Sequence, residues 1–466
     1  MSDPRTTFGP LRTMMEADAQ PDAAIDAFEG AWYRLLAGES GYVPERAITP
    51  ARDVPTLDAV RDCAAEGVRL LPRLAVLRLN GGLGTTMGLD RAKSLLEARD
   101  GLTFLATIAR QVMALRARHG TRTPLVLMDS FRTQADAGPI LAAEPGLLAG
   151  QAPVPGSFLQ HRVPRVQVAD LGPAPAGPWD DDLRWCPPGH GDLYLALQTR
   201  GVLSALLDHG FRYAFVANAD NLGATPDAAV LGWMAQGRIP FVMEVCRRTA
   251  ADSKGGHLAV GPHGGLMLRE VAQCPPDDLG SFQDIARHSF FNTNNLWLDL
   301  AAVSEVLAAY GGTLPLPLIR NRKRLDPDTP GSPEVFQLET AMGAAIEVFS
   351  GARALEVPRE RFAPVKTTSD LLRLRSDLYT TDAMGAVVPV RPGRDVRVDL
   401  DPAFFGRVDD FAQRFPEGVP SLADATSLTV RGDVRFGGGV RVVGEVHVTA
   451  DGPEPRVIPA GAVLGT

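Results

Sequence analysis

Four glycines, two threonines and a lysine follow an apolar run in LRLNGGLGTTMGLDRAKS, residues 77 to 94. Gly81, Gly82, Gly84 and Gly88 have no Cβ to hold a ligand away. Successive backbone amides can therefore converge on an anion, and Lys93 adds a mobile positive charge. The chemistry this permits is the binding of a phosphorylated ligand. The spacing departs from two familiar phosphate loops. Met87 stands where a dinucleotide fingerprint needs its third small residue, and Lys93 does not directly follow a glycine as it would in a P-loop. A tight strand-to-helix turn without a ligand is the plain alternative.

Further reactive residue types are spread along the chain. In FVANADNLG (215 to 223) Asp220 follows an apolar strand end between Asn218 and Asn221. Mg2+ keeps several waters and needs only one or two protein carboxylates beside substrate phosphates, so Asp220 is a candidate metal ligand. An Asn/Asp turn closing a strand is the simpler reading. WCPPGHGD (185 to 192) sets His190 between two glycines after a Pro-Pro pair, which fixes a loop and not a helix. FFNTNNLW (290 to 297) offers the amides of Asn292, Asn294 and Asn295, able to donate to and accept from sugar hydroxyls without titrating. Lys366 sits in FAPVKTTSD, where Pro364 stiffens the approach and the Thr-Thr-Ser-Asp run can cap a helix over DLLRLRSDLY. Lys254, in DSKGG, is another candidate phosphate contact.

Residues so far apart need a scaffold that gathers strand ends. Between 71 and 380 the runs PLVLM, YAFVA and PFVMEV alternate with the helical windows FLATIARQVMALRARH and GVLSALLDH. This alternation predicts an α/β layered domain with a largely parallel sheet, whose ligands lie beyond the carboxyl ends of the strands. Residues 1 to 70 contain DAAIDAFEGAWYRLL, one amphipathic helix with Ile25, Phe28, Trp32 and Leu35 on its apolar face, expected to pack on that body. After the linker VVPVRPGRD, residues 381 to 466 hold short β runs punctuated by glycine, which suggests coils of a β-helix. Hexapeptide acyltransferases carry such coils too, but there are too few here for their catalytic prism.

The 466 residues are 45% hydrophobic, enough for a sizeable core, and carry a net charge of −8. That charge argues against nucleic acid or an anionic membrane as partner. It also means that lysines, amide dipoles and a cation must be gathered locally if anions are to bind. RNRKR at 320 to 324 is the sole basic cluster and reads as a solvated loop. Cysteines 63, 186, 246 and 274 show no disulfide or zinc spacing and are expected to be reduced thiols. No apolar run approaches the roughly 18 residues of a membrane span, and MSDPRTTFGP lacks a signal pattern, so a cytoplasmic monomer or homo-oligomer is expected.

The glycine run resembles the signature L-N-G-G-L-G-T-x-M-G-x-x-x-x-K-S of the eukaryotic-type UTP-glucose-1-phosphate uridylyltransferases, or UDP-glucose pyrophosphorylases. The resemblance continues through PLVLMDSF, FLQHRVPR, WCPPGHGD, FVANADNLG, FNTNNLW, QLETAMGAA and VPRERFAPVKTTSDLL. It implies a Rossmann-like, GT-A-like nucleotidyltransferase domain over 71–380, followed by a left-handed β-helix, acting on UTP and glucose 1-phosphate with Mg2+. By the same resemblance Leu79, Asn80, Gly81, Gly82, Lys93, Gln160, Gly189, Asp220 and Lys366 would bind UTP, with Gln160 and Gly189 reading uracil. His190, Asn218, Glu270, Asn292, Asn294 and Lys254 would face glucose 1-phosphate. Lys366 and Lys93 would be catalytic, and Asp220 would hold the metal. Ala219 and Cys186 depart from the family's pattern. A pyrophosphorylase for another UDP-sugar such as UDP-N-acetylhexosamine, a nicotinamide-dependent oxidoreductase and a non-catalytic nucleotide-binding scaffold are the rival readings.

Overall fold

The computed structural model describes residues 4–465 apart from 145, 250, 251, 383, 384, 395 and 453. The first three residues of MSDPRTTFGP and Asp395 of the expected linker lie outside this set. Among the described residues ten strands form one sheet. They are β1 (Thr49–Pro50), β2 (Leu74–Asn80), β3 (Leu125–Asp129), β4 (Ser157–Leu159), β5 (Tyr213–Asn218), β6 (Phe241–Arg247), β7 (His257–Val260), β8 (Leu266–Arg269), β9 (Phe290–Asp299) and β10 (Arg353–Glu356). The path runs β1-β7-β9-β5-β2-β3-β4, with β6 on β9 and β10, and β8 on β7. Pairing is parallel through β5, β2, β3 and β4 and between β6 and β10, and antiparallel where β9 meets β5, β6 and β7.

Both faces of the parallel centre are covered, which is why its strands read as unbroken apolar runs. Leu74, Val76, Leu125, Leu127 and Phe215 face one core, while Ala75, Leu77, Val126, Met128 and Val216 face the other. The registers Asn80↔Asp129 and Leu79↔Asn218 then align three carboxyl ends at one edge. The glycine loop, the FLQHR segment and the NADN loop all leave the sheet along it.

The amino-terminal segment is longer in helix than the sequence suggests: α1 (Pro4–Ala17), α2 (Asp22–Leu36) and α3 (Ala64–Leu70). Ile25, Phe28, Trp32 and Leu35 are buried on α2 as expected, against Val163, Trp185, Cys186 and Leu338. Cys186 is thus a small apolar filler beneath the WCPPGHGD loop. α4 (Phe104–His119) is capped by the Thr103 hydroxyl and ended by Gly120 in the left-handed region. α3 lies against α5 (Ala228–Gln236) so closely that a Cβ on Gly67 would come within 1.7 Å of the Ala228 carbonyl oxygen. α6 (Thr368–Arg375) opens with the capping box of Thr367 and Asp370.

One expectation is corrected. RNRKR is not a loop: Ile319–Arg324 is an edge strand antiparallel to Glu334–Glu339. Its charges are accommodated because Arg322 pairs with Glu334 and the Arg320 guanidinium lies 5.4 Å over the Phe336 ring. Charged side chains also suit an exposed edge.

Beyond α6, β11 (Arg397–Leu400), β12 (Ser421–Arg431), β14 (Arg441–Thr449) and β16 (Val463–Leu464) stack in parallel, while β13 (Val434–Phe436) and β15 (Arg456–Ile458) pair as a second parallel face. Leu371, Leu372 and Leu374 of α6 share one core with Leu428, Val430, Phe405 and Phe411, so apolar packing runs unbroken from the sheet into this stack. No helix among the described residues is long and apolar enough to cross a membrane.

Candidate functional site

Contacts between named residues close into a ring at the aligned strand ends. At its base the Lys93 amide donates to the Gly82 carbonyl at 3.1 Å, and the Lys93 ammonium pairs with Asp220 at 2.6 Å. The Val365 amide donates to the Asp220 carbonyl at 3.3 Å, which sets Lys366 beside the NADN loop. Lys366 in turn exerts its charge on Glu270. Glu270 fills the space left by Gly256, where a Cβ would meet its carboxylate at 2.4 Å. The Gly256 carbonyl accepts the Asn292 amide at 3.0 Å, and the Asn292 side chain packs on Gly343, 3.0 Å from where a Cβ would stand. Next to Gly343, the Met342 amide donates to His190 Nδ1 at 2.9 Å.

The other arc is built by glycine. Gly189 has φ +82°, and a Cβ there would sit 2.4 Å from the Thr340 carbonyl oxygen, so only glycine lets the two loops zip together. Hydrogen bonds Thr340 N–H to Pro188 O (2.9 Å) and Gly191 N–H to Thr340 O (2.8 Å) complete that zipper. Gln160 packs over Gly81, its amide nitrogen 2.7 Å from a would-be Cβ. Gly82 meets nothing within 4 Å and leaves an open cradle. Leu79 is the penultimate residue of β2, and its carbonyl accepts the Ala219 amide at 3.0 Å.

The ion pair and the lysines lie on one side of the ring, and the histidine and asparagines on the other. Lys93, Asp220 and Lys366 hold one side. On the other, His190 is half-buried at the surface yet enclosed by enough protein that burial pushes its pKa down to about 4. Its Nδ1 accepts an amide proton, so the neutral ring carries its hydrogen on Nε2 as a donor. Burial raises Glu270, with Lys366 opposing. Asn292 and Asn294 bond to each other, through Nδ2 to Oδ1 at 2.7 Å and Asn294 N–H to Oδ1 at 2.9 Å, with Asn294 in the left-handed region at φ +58°.

Most of the residues singled out in the sequence meet here, and Asn295, Asn80 and Lys254 differ in detail. Asn295 does not join Asn292 and Asn294. Strand alternation turns it to the opposite face, where its amide donates to the buried Glu244 carboxylate at 3.0 Å. The Asn80 side chain is committed to Asp129 Oδ1 at 2.7 Å, which leaves its backbone for the loop. Lys254 is exposed in the turn before Gly256, at the rim of the ring. The Asn218 side chain stands half-buried at the end of β5.

Sequence reasoning passed over the residues that hold the ring in place. Asp192 accepts the His161 backbone amide at 2.7 Å and faces its ring Nδ1 at 2.8 Å, tying the Gln160 segment to the His190 loop. Buried Arg78 donates to the carbonyls of Asn218, Asn221 and Ala224. Asp129 also receives the Gln160 amide on its carbonyl at 2.9 Å. Only strand register could have announced that Asn80 and Asp129 are partners.

Comparison with known proteins gives consistent results. Residues 25–442 match the family model described as UTP–glucose-1-phosphate uridylyltransferase. The enzyme of that name from Solanum tuberosum is 41% identical over 439 residues, spanning 92% of this chain and 89% of the potato protein. Its Saccharomyces cerevisiae counterpart is 39% identical over 401 residues, 86% of this chain and 78% of the yeast protein. The UDP-glucose pyrophosphorylase of Leishmania major superimposes with a TM-score of 0.91 at 43% identity and 98% coverage of both chains. A variant of that enzyme solved in complex with UDP-glucose gives 0.90 at the same identity. The chain belongs to the UTP–glucose-1-phosphate uridylyltransferase family.

Proposed function

We propose that this chain joins UTP and glucose 1-phosphate to give UDP-glucose and pyrophosphate, reversibly. The observation that carries the reading is the ring itself, in which an open glycine cradle, Lys93, Asp220 and Lys366 adjoin a pocket rim of His190, Asn292, Asn294 and Glu270. A phosphate oxygen of glucose 1-phosphate attacks the α-phosphorus of UTP in line, and the bond to pyrophosphate breaks. The attacking oxygen is already an anion and pyrophosphate is a good leaving group. The chain therefore needs no nucleophile or base, only placement and charge neutralisation.

Each arc has its part. Gln160 and the Gly189 backbone hold uracil, while Leu79, Asn80, Gly81 and Gly82 present backbone to the triphosphate. Lys93 holds the departing pyrophosphate and Lys366 balances charge at the α-phosphorus. His190 Nε2–H, Asn218, Asn292, Asn294, Glu270 and rim Lys254 orient the sugar phosphate.

Asp220 suits Mg2+. Its Oδ1 is buried without a hydrogen-bond partner while Oδ2 faces Lys93, and no group of three potential ligands lies among the described residues, so phosphates and water would complete the shell. Bound there, Mg2+ would draw off negative charge from the substrate phosphates. The finer fold description accompanies this reading. The sheet is taken as GT-A-like, and the parallel stack with left-handed glycine corners at Gly432 and Gly465 as a left-handed β-helix spanning 381–466, with 1–70 as a helical flank to the 71–380 catalytic body. Four free thiols accord with a reducing cytoplasm.

Pyrophosphate release from UTP with a panel of hexose 1-phosphates tests the function. Glucose 1-phosphate should lead. A preference for N-acetylhexosamine 1-phosphate would move the assignment to another UDP-sugar, and UTP binding without any release would leave a nucleotide-binding scaffold.

A further inference from the structure

Asp220 and Lys366 come from segments more than a hundred residues apart, and their separation has to be set by something other than their own exposed or half-exposed side chains. The Asn221 side chain, 1% exposed, lies between the two segments. Its Oδ1 accepts the Ala363 amide at 3.0 Å, and its Nδ2 donates to the Arg361 carbonyl at 3.0 Å and Asn295 Oδ1 at 3.3 Å. Asn221 and Pro364 also form an antiparallel bridge.

The segment it grips is itself immobilised. Arg361 reaches the buried Glu244 carboxylate through Nε at 2.9 Å and a terminal nitrogen at 2.6 Å, and donates to the Thr225 carbonyl at 2.8 Å. Gly223 allows the close approach, since a Cβ there would meet the Glu360 carbonyl oxygen at 2.2 Å. Only an amide supplies a donor and an acceptor in this geometry. A carboxylate would turn a lone pair toward the Arg361 carbonyl, and an alanine would leave a buried N–H and C=O unpaired.

We propose that Asn221 is a positioning residue that fixes Lys366 relative to Asp220, so that the two groups close on the reacting phosphates together. The inference rests on the uridylyltransferase reading above. Because misplacement by about 1 Å can cost on the order of a hundredfold in rate, the effect belongs in kcat. Most UTP contacts lie elsewhere, on the glycine loop, Gln160 and Gly189, which Asn221 does not touch.

The test is a double-mutant cycle between Asn221→Ala and Lys366→Ala, with forward rates measured at enzyme excess and folding checked by thermal unfolding. Asn221→Ala should lower kcat by roughly 30- to 100-fold with KM for UTP within about threefold. In the Lys366→Ala background the same change should cost less than about threefold, because the group it positions is gone. An equal loss in both backgrounds, or an unchanged kcat in folded Asn221→Ala, overturns the proposal. If Asn221→Ala does not fold, Asn221→Ser, whose single shorter hydroxyl cannot reach both the Ala363 amide and the Arg361 carbonyl, takes its place in the same cycle and is read the same way. An inactive parent enzyme would instead overturn the function and not this coupling, which Val365 and Ala363 amide exchange in parent and Asn221 variants would still report.

Discussion

Asp129 illustrates how a single side chain is shaped by its position in the sheet. Fully buried at the end of β3, it accepts the Asn80 amide through Oδ1, while Oδ2 has no partner. Burial pushes its pKa up to about 6, with the nearby Asn80 and Ser157 side chains opposing. The fold therefore favours the protonated carboxyl. Its contribution to stability is complete below the unfolded value near 3.8 and is lost as pH rises through about 6. A carboxamide in its place would not titrate, so Asp129→Asn should gain stability relative to the parent between about pH 4 and 7, by up to roughly 3 kcal/mol. Denaturant melts across that range check it, and a difference independent of pH would refute the assignment. His190 behaves in the opposite sense: depressed to about 4, it is neutral at physiological pH and adds no charge to the ring.

Loops and strands set the distances between such residues. The WCPPGHGD loop is placed by the contacts of its tip with residues 339 to 342 and by the Asp192 tie to His161, and Gly189 is where the two backbones touch. Gly189→Ala combines a left-handed φ with a backbone collision, a cost of about 1–3 kcal/mol that the loop can relieve only by moving away from Thr340. KM for UTP should rise by tenfold or so while the global unfolding temperature changes little; steady-state kinetics beside a thermal melt separate the two. The amino-terminal helices act on the same loop from behind, with Trp32 anchored by its indole N–H to the Leu171 carbonyl at 2.9 Å.

At the scale of the molecule, the carboxy-terminal stack shares one apolar core with the central sheet. α6, which follows Lys366 directly, buries Leu371, Leu372 and Leu374 against it, and the Leu400 amide donates to the Ser369 hydroxyl at 3.1 Å. Arg99, just after the glycine loop's lysine, donates to the carbonyls of Leu374 and Ser376. A chain ending at residue 380 would expose this leucine face, at about 1.5–3 kcal/mol per side chain. It should lose cooperative unfolding together with activity. A truncated protein that melts cooperatively and still releases pyrophosphate would show that the stack is a separable module.

Parts that depend on local chemistry and period were legible from residue order alone. Apolar runs alternating with helical windows pointed to strands buried on both faces, the glycine run pointed to backbone brought close to a ligand, and the Thr367–Asp370 box marked a helix start next to Lys366. Family-specific wording carried the site residues that no spacing could single out, His190 and Lys366 above all. Tertiary structure alone decided which side of a strand an asparagine faces, which separated Asn295 from Asn292 and Asn294. It likewise decided that RNRKR would find a partner strand, and that Asn221, Asp129 and Asp192 would hold the ring together. The reason is physical: a buried polar side chain is defined by the partner that satisfies it, and in this fold that partner lies many tens of residues away along the chain.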